Sequence, residues 1–344
     1  MKTRSSRFRI ETFSFVIIFA LTFYSSAVFS QSDHTARLIE GAKKEGRLLW
    51  YTALNIKDAD MLTQSFEEKY PFIKTQTLRL GTFQLLTKIQ TEVRARAFKG
   101  DVIEIAGVTG HILKKDGVFA KYTSPESRFY PDFVKDPDQT WTSFFINTHV
   151  LVYNTNLVKK NELPRTFQEI INPKWSNKIV MADDFDIFGM MLKVMGRDKG
   201  LDFMRRLAAQ GVGLRDGYTL AVQGIASGEV PLGLNLYGTR TEEFKRKGAP
   251  IDWTPMEFVL ASLEPLAVGA NAPNPNSARL FVDFLLSKEA QGLMRQRFRI
   301  PSRPDVPPDP PELTKGLNII ATDLSLAEQS KQLAAEYYGI FKPR

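Results

Sequence analysis

The sequence predicts an α/β protein of two lobes with a ligand cleft between them, and three observations lead there. The stretch 141–154, WTSFFINTHVLVYN, is rich in β-branched and aromatic residues. Ile146, Val150 and Val152 alternate with Phe145, Leu151 and Tyr153, so both faces are apolar, as in a strand buried on two sides. It exceeds the roughly five or six residues of an ordinary strand. It reads either as a crossover strand serving two lobes or as a long core strand of one large sheet. On both sides of it the chain repeats a short strand followed by a helix, the pattern of parallel βαβ units. Finally, 344 residues with 43% hydrophobic and 24% charged content allow two domains with real cores.

Taken in order, 35–44 predicts an amphipathic helix ended by Gly46, and 47–53 (RLLWYTA) a buried strand. Asp58 is placed to cap a helix carrying Leu62, Phe66 and Tyr70, which Pro71 stops. A strand at 75–80 runs into Gly81, followed by a helix with Leu86, Ile89, Val93 and Ala97 on one face. A third strand covers 101–106, and Thr109 is placed to cap a short helix ending at Gly117. Beyond the long strand, Thr166 and Glu169 form a capping-box pattern before Pro173. Strands follow at 178–183, 212–215 and 231–237, and helices at 185–195, 201–209 and 219–227. Extended stretches at 251–256 and 263–270 read as the return to the first lobe. Asn276 and Ser277 are placed to cap a helix bearing Phe281, Phe284 and Leu285. Residues 301–311 are Pro-rich, and 325–338 form a last packing helix. The expected division is a signal peptide at 1–30, a first lobe of 31–145 plus 257–344, and a second lobe of 146–256.

The N-terminus carries Lys2, Arg4, Arg7 and Arg9, then an apolar run over 13–23, then Ser25, Ser26, Ala27 and Ser30. Basic, apolar, small is the order of a secretory signal peptide, with cleavage expected after Ser30 and a periplasmic mature chain. The run is short for a membrane span; an uncleaved anchor is the alternative. Loss of 1–30 removes four positive charges and one negative, taking the formal charge from +8 to +5. With no dense Lys/Arg run, this excludes a nucleic-acid binder and tolerates an anionic ligand. There are no cysteines, which excludes disulfides, thiolate metal sites, Cys nucleophiles and a lipoprotein anchor.

In open α/β sheets ligands collect at the carboxyl ends of strands, where helices begin. That rule selects the turns 52–55, 81–83, 108–110, 183–188, 216–219 and 237–239. Helix-start amides with the helix dipole suit an anion. The hydroxyls of Thr52, Thr82, Thr109, Tyr218 and Thr219 are candidate donors, each equally readable as a helix cap. Arg215, closing a strand before Asp216, is the candidate cation for an anionic ligand, or a surface arginine paired with a local carboxylate. Asp183, Asp184 and Asp186 are read as a capping cluster, since their spacing matches no calcium loop. His34, His111 and His149 are scattered without metal-site spacing. No Walker loop, GxSxG or GxGxxG is present.

The stretches LLWYTALN (48–55), GDVIEIAG (100–107), LVYNTNLV (151–158), LPRTFQEIINPKWSNKIVMAD (163–183), IASGEVPLG (225–233) and NAPNPNSARLFVDFLLSKEAQGLM (271–294) together resemble bacterial extracellular solute-binding proteins that feed ABC importers, in the ferric-binding-protein-like branch. The resemblance implies a type II periplasmic-binding-protein fold: two α/β lobes joined by crossover strands, closing by a hinge on a small solute and docking on an importer permease. It implies no enzyme activity, no cofactor and a monomer. Carried over residue by residue, it places ligand loops at Thr52, Ala53, Leu54 and Asn55 and at Gly81, Thr82 and Phe83. To these the strand-end rule adds Thr109, Gly110, Asp183, Asp184, Arg215, Tyr218, Thr219, Asn235 and Tyr237. Ferric binders use adjacent tyrosines in the strand that here reads Asn235-Leu236-Tyr237. Tyr237 matches one of them, and Leu236 stands at the other. One phenolate falls short of the hard anionic oxygens that Fe³⁺ requires. The expected cargo is therefore an organic or phosphorylated anion, with ferric iron held through Tyr237 as the alternative. A secreted enzyme or a sensory ligand-presenting module on the same fold are the remaining readings.

Overall fold

The computed structural model describes residues 33–342; the signal peptide expected at 1–30 lies outside them. The first half alternates helix and strand: α1 (33–45), β1 (Arg47–Thr52), α2 (Ile56–Lys69), β2 (Lys74–Arg79), α3 (Thr82–Arg94), β3 (Val102–Glu104) and α4 (Gly107–Lys115). β1 pairs in parallel with β2 and with β3. β4 (Thr142–Asn154) follows, buried along its whole length. The second half comprises α5 (Phe167–Ile170), β5 (Ile179–Ala182), α6 (Phe185–Met195), α7 (Arg197–Ala209), β6 (Gly213–Arg215), α8 (Tyr218–Ala226), β7 (Leu232–Tyr237), α9 (Gly238–Arg246) and β8 (Ile251–Thr254). β9 (Val259–Val268) returns, and the chain closes with α10 (Pro275–Leu286), α11 (Lys288–Gln296), β10 (Ile300–Pro301), β11 (Ile319–Ala321), a 3-10 turn (Leu324–Gln329) and α12 (Ser330–Phe341).

The strands form one mixed sheet in the order β2-β1-β3-β9-β4-β7-β5-β6. Both readings of the long strand therefore hold: β4 belongs to a continuous sheet, and it also carries the chain between two cores. One end of it, Phe144 to Ile146, packs with Trp50, Phe66, Phe281 and Phe284. Leu151 and Tyr153, at the other end, pack with Phe167, Phe188, Met191 and Phe203. Val150 and Val152 meet α8 on the opposite face. β9 runs antiparallel to β4 and contributes Leu263 and Leu266 to the first core and Leu260 to the second.

Several helix starts differ from expectation. Asn55, not Asp58, caps α2 through its side chain. Asp58 is buried and holds Arg297 and Arg299 in ion pairs. Ala106, not Thr109, is the N-cap of α4; the Thr109 hydroxyl turns back to the Ala106 carbonyl at 2.6 Å. α10 starts two to three residues earlier than predicted, at Pro275 after Asn274, and the Glu45 carboxylate accepts from the amides of Asn276 and Ser277.

The C-terminal segment touches both halves. Its 3-10 turn lies on α4, where a Cβ on Gly107 would stand 2.5 Å from Leu324 Cδ2. α12 lies on α6 and α7 and buries Leu333 and Tyr337 in the second core, although the division by sequence gives 257–344 to the first lobe. Tyr337 is 0% exposed and meets the Phe188 ring edge-on at 5.7 Å. Truncating a buried aromatic to alanine removes about 3–5 kcal/mol. Tyr337→Ala is expected to lower stability by that order in a urea melt, and a loss under 1 kcal/mol would show that α12 is not part of the second core.

Candidate functional site

A cavity of about 760 Å³ opens at the carboxyl ends of the strands of both halves. Its first-half wall comprises Arg79, Gly81, Thr82 and Phe83, with Ala106 to Thr109 beside them. The second half contributes Ala182 to Asp186, Asp216 to Tyr218, and Tyr237. Ser262, Leu263 and Glu264 of β9 form the floor, and Thr322 and Tyr338 come from the C-terminal segment.

Of the residues expected from sequence, Gly81, Thr82, Phe83, Thr109, Asp183, Asp184, Tyr218 and Tyr237 line this cavity. Thr52, Ala53, Leu54 and Asn55 do not. The protein's own Glu104 occupies that turn: its Oε2 accepts from the Thr52 hydroxyl and from the amides of Ala53 and Leu54, each at 3.1 Å. Asn55 is spent on the α2 cap. Gly110 packs against Pro265, and Thr219 is exposed in the first turn of α8, outside the cavity lining. Arg215 points elsewhere: its guanidinium pairs with Glu229 and bonds the Leu214 carbonyl, so the surface-pair reading of this arginine is the one the structure supports. Asn235 is buried in β7, away from the cavity. Arg79, Ser262, Glu264, Thr322 and Tyr338 were not expected. Arg79 ends a strand, so the strand-end rule was within reach of it. The other four lie on β9 and the tail, which carry no βα turn.

The wall has two electrostatic poles. Three helices begin at the cavity without a side-chain cap: α3 after Gly81, α4 after Ala106 and α8 after Gly217. Their first intrahelical bonds reach only Leu85, Gly110 and Ala221, so the amides of each first turn remain open, with the positive dipole end behind them. Arg79 stands at the same wall, its Nε on the Leu54 carbonyl at 3.1 Å, and no carboxylate among the described residues pairs with it. The opposite pole is acidic. Asp184 caps α6 by accepting from the amides of Asp186 and Ile187, and its other oxygen accepts from the Tyr218 hydroxyl at 2.5 Å. Asp183 is held by Lys342 at 2.5 Å.

Burial governs the titration of this pole. Asp186 is pushed up to about 8, first by burial and then by the Asp184 charge. Glu264 is raised well above the usual carboxylate range by burial and by the Glu104 charge; its Oε1 accepts from Asn147 at 3.1 Å. The phenols of Tyr218 and Tyr237, stacked at 3.6 Å, are raised by burial and by neighbouring carboxylates. His149, edge-on to Tyr237 at 5.0 Å, is lowered by burial to about 4.

A carboxyl that binds its proton more tightly when folded makes folding less favourable as pH rises from its unfolded value to its folded one. For Asp186 that window runs from 3.8 to about 8. Asp186→Asn is expected to raise the Tm at pH 8 relative to the parent chain, with the difference shrinking to nothing near pH 4. A pH-independent difference would show that Asp186 is ionised in the folded state.

A family model for bacterial extracellular solute-binding proteins matches residues 110–323. An uncharacterized protein of Haemophilus influenzae is 23% identical over 287 residues, 77% of this chain and 81% of that one. The major ferric iron-binding protein of Neisseria meningitidis serogroup B is 28% identical over 181 residues, 48% of this chain and 54% of its own length. In three dimensions, AfuA from Actinobacillus pleuropneumoniae, with exogenous fructose-6-phosphate bound, matches with a TM-score of 0.73 at 22% identity, covering 87% of this chain and 100% of that one. Iron-bound HitA from Pseudomonas aeruginosa matches with a TM-score of 0.72 at 20% identity, covering 85% and 99%. No helix among the described residues is long and apolar enough to cross a membrane. With the family model spanning well over half of its length, this chain belongs to the bacterial extracellular solute-binding proteins.

Proposed function

We propose that the protein is the periplasmic binding component of an ABC importer, and that it captures a small phosphorylated or otherwise anionic organic solute for delivery to a membrane permease. The observation that carries the reading is the convergence of three uncapped helix starts and the unpaired Arg79 on one wall of the cavity. Oriented amides and a guanidinium are the donors that an oxyanion takes up. Phosphate would sit against the starts of α3 and α4, and the body of the solute would extend toward the acidic pole. The fructose-6-phosphate bound to AfuA is a cargo of this chemistry. Capture would proceed by bending at β4 and β9. The mature chain would act as a monomer with no catalytic role and no resident cofactor.

A second reading, ferric iron as cargo, is favoured by the oxygens of Tyr237, Tyr218 and Asp184 gathered at one wall and by the iron bound to HitA. The two readings separate in a thermal-shift experiment on residues 31–344. Ligand binding to the native state at a hundredfold excess over Kd adds about 2.7 kcal/mol of stability. Fructose 6-phosphate is expected to raise the Tm. Arg79→Ala should weaken that binding about tenfold or more, the size of a lost charge-assisted hydrogen bond, with only the small loss of ligand-free Tm that follows from its bond to the Leu54 carbonyl. A shift with Fe³⁺ and a tyrosinate–iron colour, with none from any organic anion, would replace the anion reading with the iron one.

A further inference from the structure

Most large apolar side chains of this protein are buried in one of three hydrophobic cores. Of the large apolar side chains left exposed among the described residues, two line the cavity: Phe83, 66% exposed, and Tyr338, 40% exposed. Neither ring is part of a core. A single apolar side chain at a surface is ordinary. Two aromatic rings left open in one cavity are a different matter, because burying a ring is among the largest gains that a side chain offers. Folding leaves both of these gains unused.

Each ring is set by a different half of the molecule. Phe83 lies in the first turn of α3, two residues past the cap Gly81. Helical side chains lean toward the N-terminus of their helix, which for α3 is the cavity end. The Thr87 hydroxyl holds the Phe83 carbonyl at 2.9 Å. Tyr338 lies on α12, which packs on α6 and α7 of the second half. The buried Tyr337 ring meets the Tyr338 ring at 5.2 Å with an interplanar angle of 68°. Lys342 Nζ stands over the Tyr338 ring at 5.1 Å, and Lys342 is itself held by Asp183. These contacts orient Tyr338 and still leave it open to the cavity.

We propose that Phe83 and Tyr338 set the specificity of the cavity, and that the cargo is an anion borne on a flat aromatic ring which the two side chains take between them as the halves close. The proposal rests on the reading that this cavity holds an anionic cargo, and it names what the anion is attached to. An anion at the open amides of α3 occupies the same helix turn as Phe83, so the group that bears it lies next to that ring. Tyr338 approaches from the other half, so closure completes the pair. Aromatic rings stack offset or edge-to-face with centroids about 4.5–7 Å apart. A rigid ring takes up that place at little cost, whereas a flexible chain must give up rotamer freedom to lie there.

Calorimetry on residues 31–344 tests this with phenyl phosphate and n-hexyl phosphate, which share the phosphate and six carbons and differ in the flat ring. Phenyl phosphate is expected to bind at least about fivefold tighter, although the hexyl chain carries more apolar surface. Phe83→Ala and Tyr338→Ala should each cut its affinity about tenfold and change that of inorganic phosphate less than about twofold. Phe83→Trp should keep the preference for the ring, and Phe83→Leu, apolar but not flat, should lose it. A preference for the hexyl chain would overturn the proposal. So would unchanged phenyl phosphate affinity in both alanine variants, which would leave the two rings to contact with a partner protein. A neutral ring separates this proposal from the anion reading. The fluorine resonance of 4-fluorobenzyl alcohol is expected to broaden with the parent chain and to stay narrow with the double alanine variant. If no phosphate binds and the resonance still behaves in this way, the anion reading fails and the ring site stands. A resonance that the parent chain leaves narrow, or that both proteins broaden equally, would overturn the ring site.

Discussion

The antiparallel pairing of β4 with β9 is the constraint on which the rest of the molecule depends. These are the two long strands that reach both cores. Apart from Thr322 and Tyr338 of the C-terminal segment, the cavity wall is made of the ends of short strands set by that frame, the turns that follow them, and β9 itself. The requirement shows in the composition of β4: a strand buried on both faces and shared by two cores cannot spare a position for solvent, and all thirteen of its residues are buried. Several of its polar members are satisfied internally or at the floor, whereas the Thr148 hydroxyl and Asn147 Oδ1 have no partner among the described residues. Ser143 receives the Glu264 amide and donates to the Phe145 carbonyl, Asn147 donates to Glu264, and His149 bonds across to β7 and β9. The polar floor is thus carried by the same strands that make the hydrophobic frame.

The position of the anion pole follows from a substitution of internal for external charge. The turn after β1 is the geometry that accepts an anion, and in this chain it already holds one, the carboxylate of Glu104. Filling that turn from within leaves only the later helix starts, α3 and α4, to face the cavity in this half, together with Arg79. In the second half the start of α6 is likewise closed by its own Asp184, and α8 remains open. Which helix starts are free is decided by where the protein's own carboxylates fall.

Much of the fold was legible because it rests on periodicity. The strand–helix alternation, the long strand and the buried tail helix all follow from apolar spacing that burial enforces. Of the sixteen site residues expected from family resemblance and the strand-end rule, eight line the cavity. The misses have separate physical causes. Thr52 to Asn55 sit at a strand end whose donors are used internally, through a contact between residues about fifty positions apart. Arg215 closes a strand at the right height, but a carboxylate on the next turn, Glu229, captures its side chain. Asn235 lies in the right strand but is buried in it, outside the cavity lining, which its place in the sequence does not reveal. Ser262, Glu264 and Tyr338 arrive from the returning strand and the tail, segments whose approach to the cavity depends on tertiary packing alone.

The C-terminal segment also bears on how the two halves can move. Its 3-10 turn is fastened to α4, with Glu328 near His111 and Lys115, and α12 is fastened to α6 and α7, with Glu336 on Arg197. Asp323, just ahead of the turn, is tied to Lys193 of α6. Two adjacent strands behave like a strip that bends and also twists about its own length. A third strut joining the halves off the line of that strip resists the twist and leaves bending as the soft mode. Any closure of the two halves would thereby run like a clam held by a side stay, with the facing walls kept in one register.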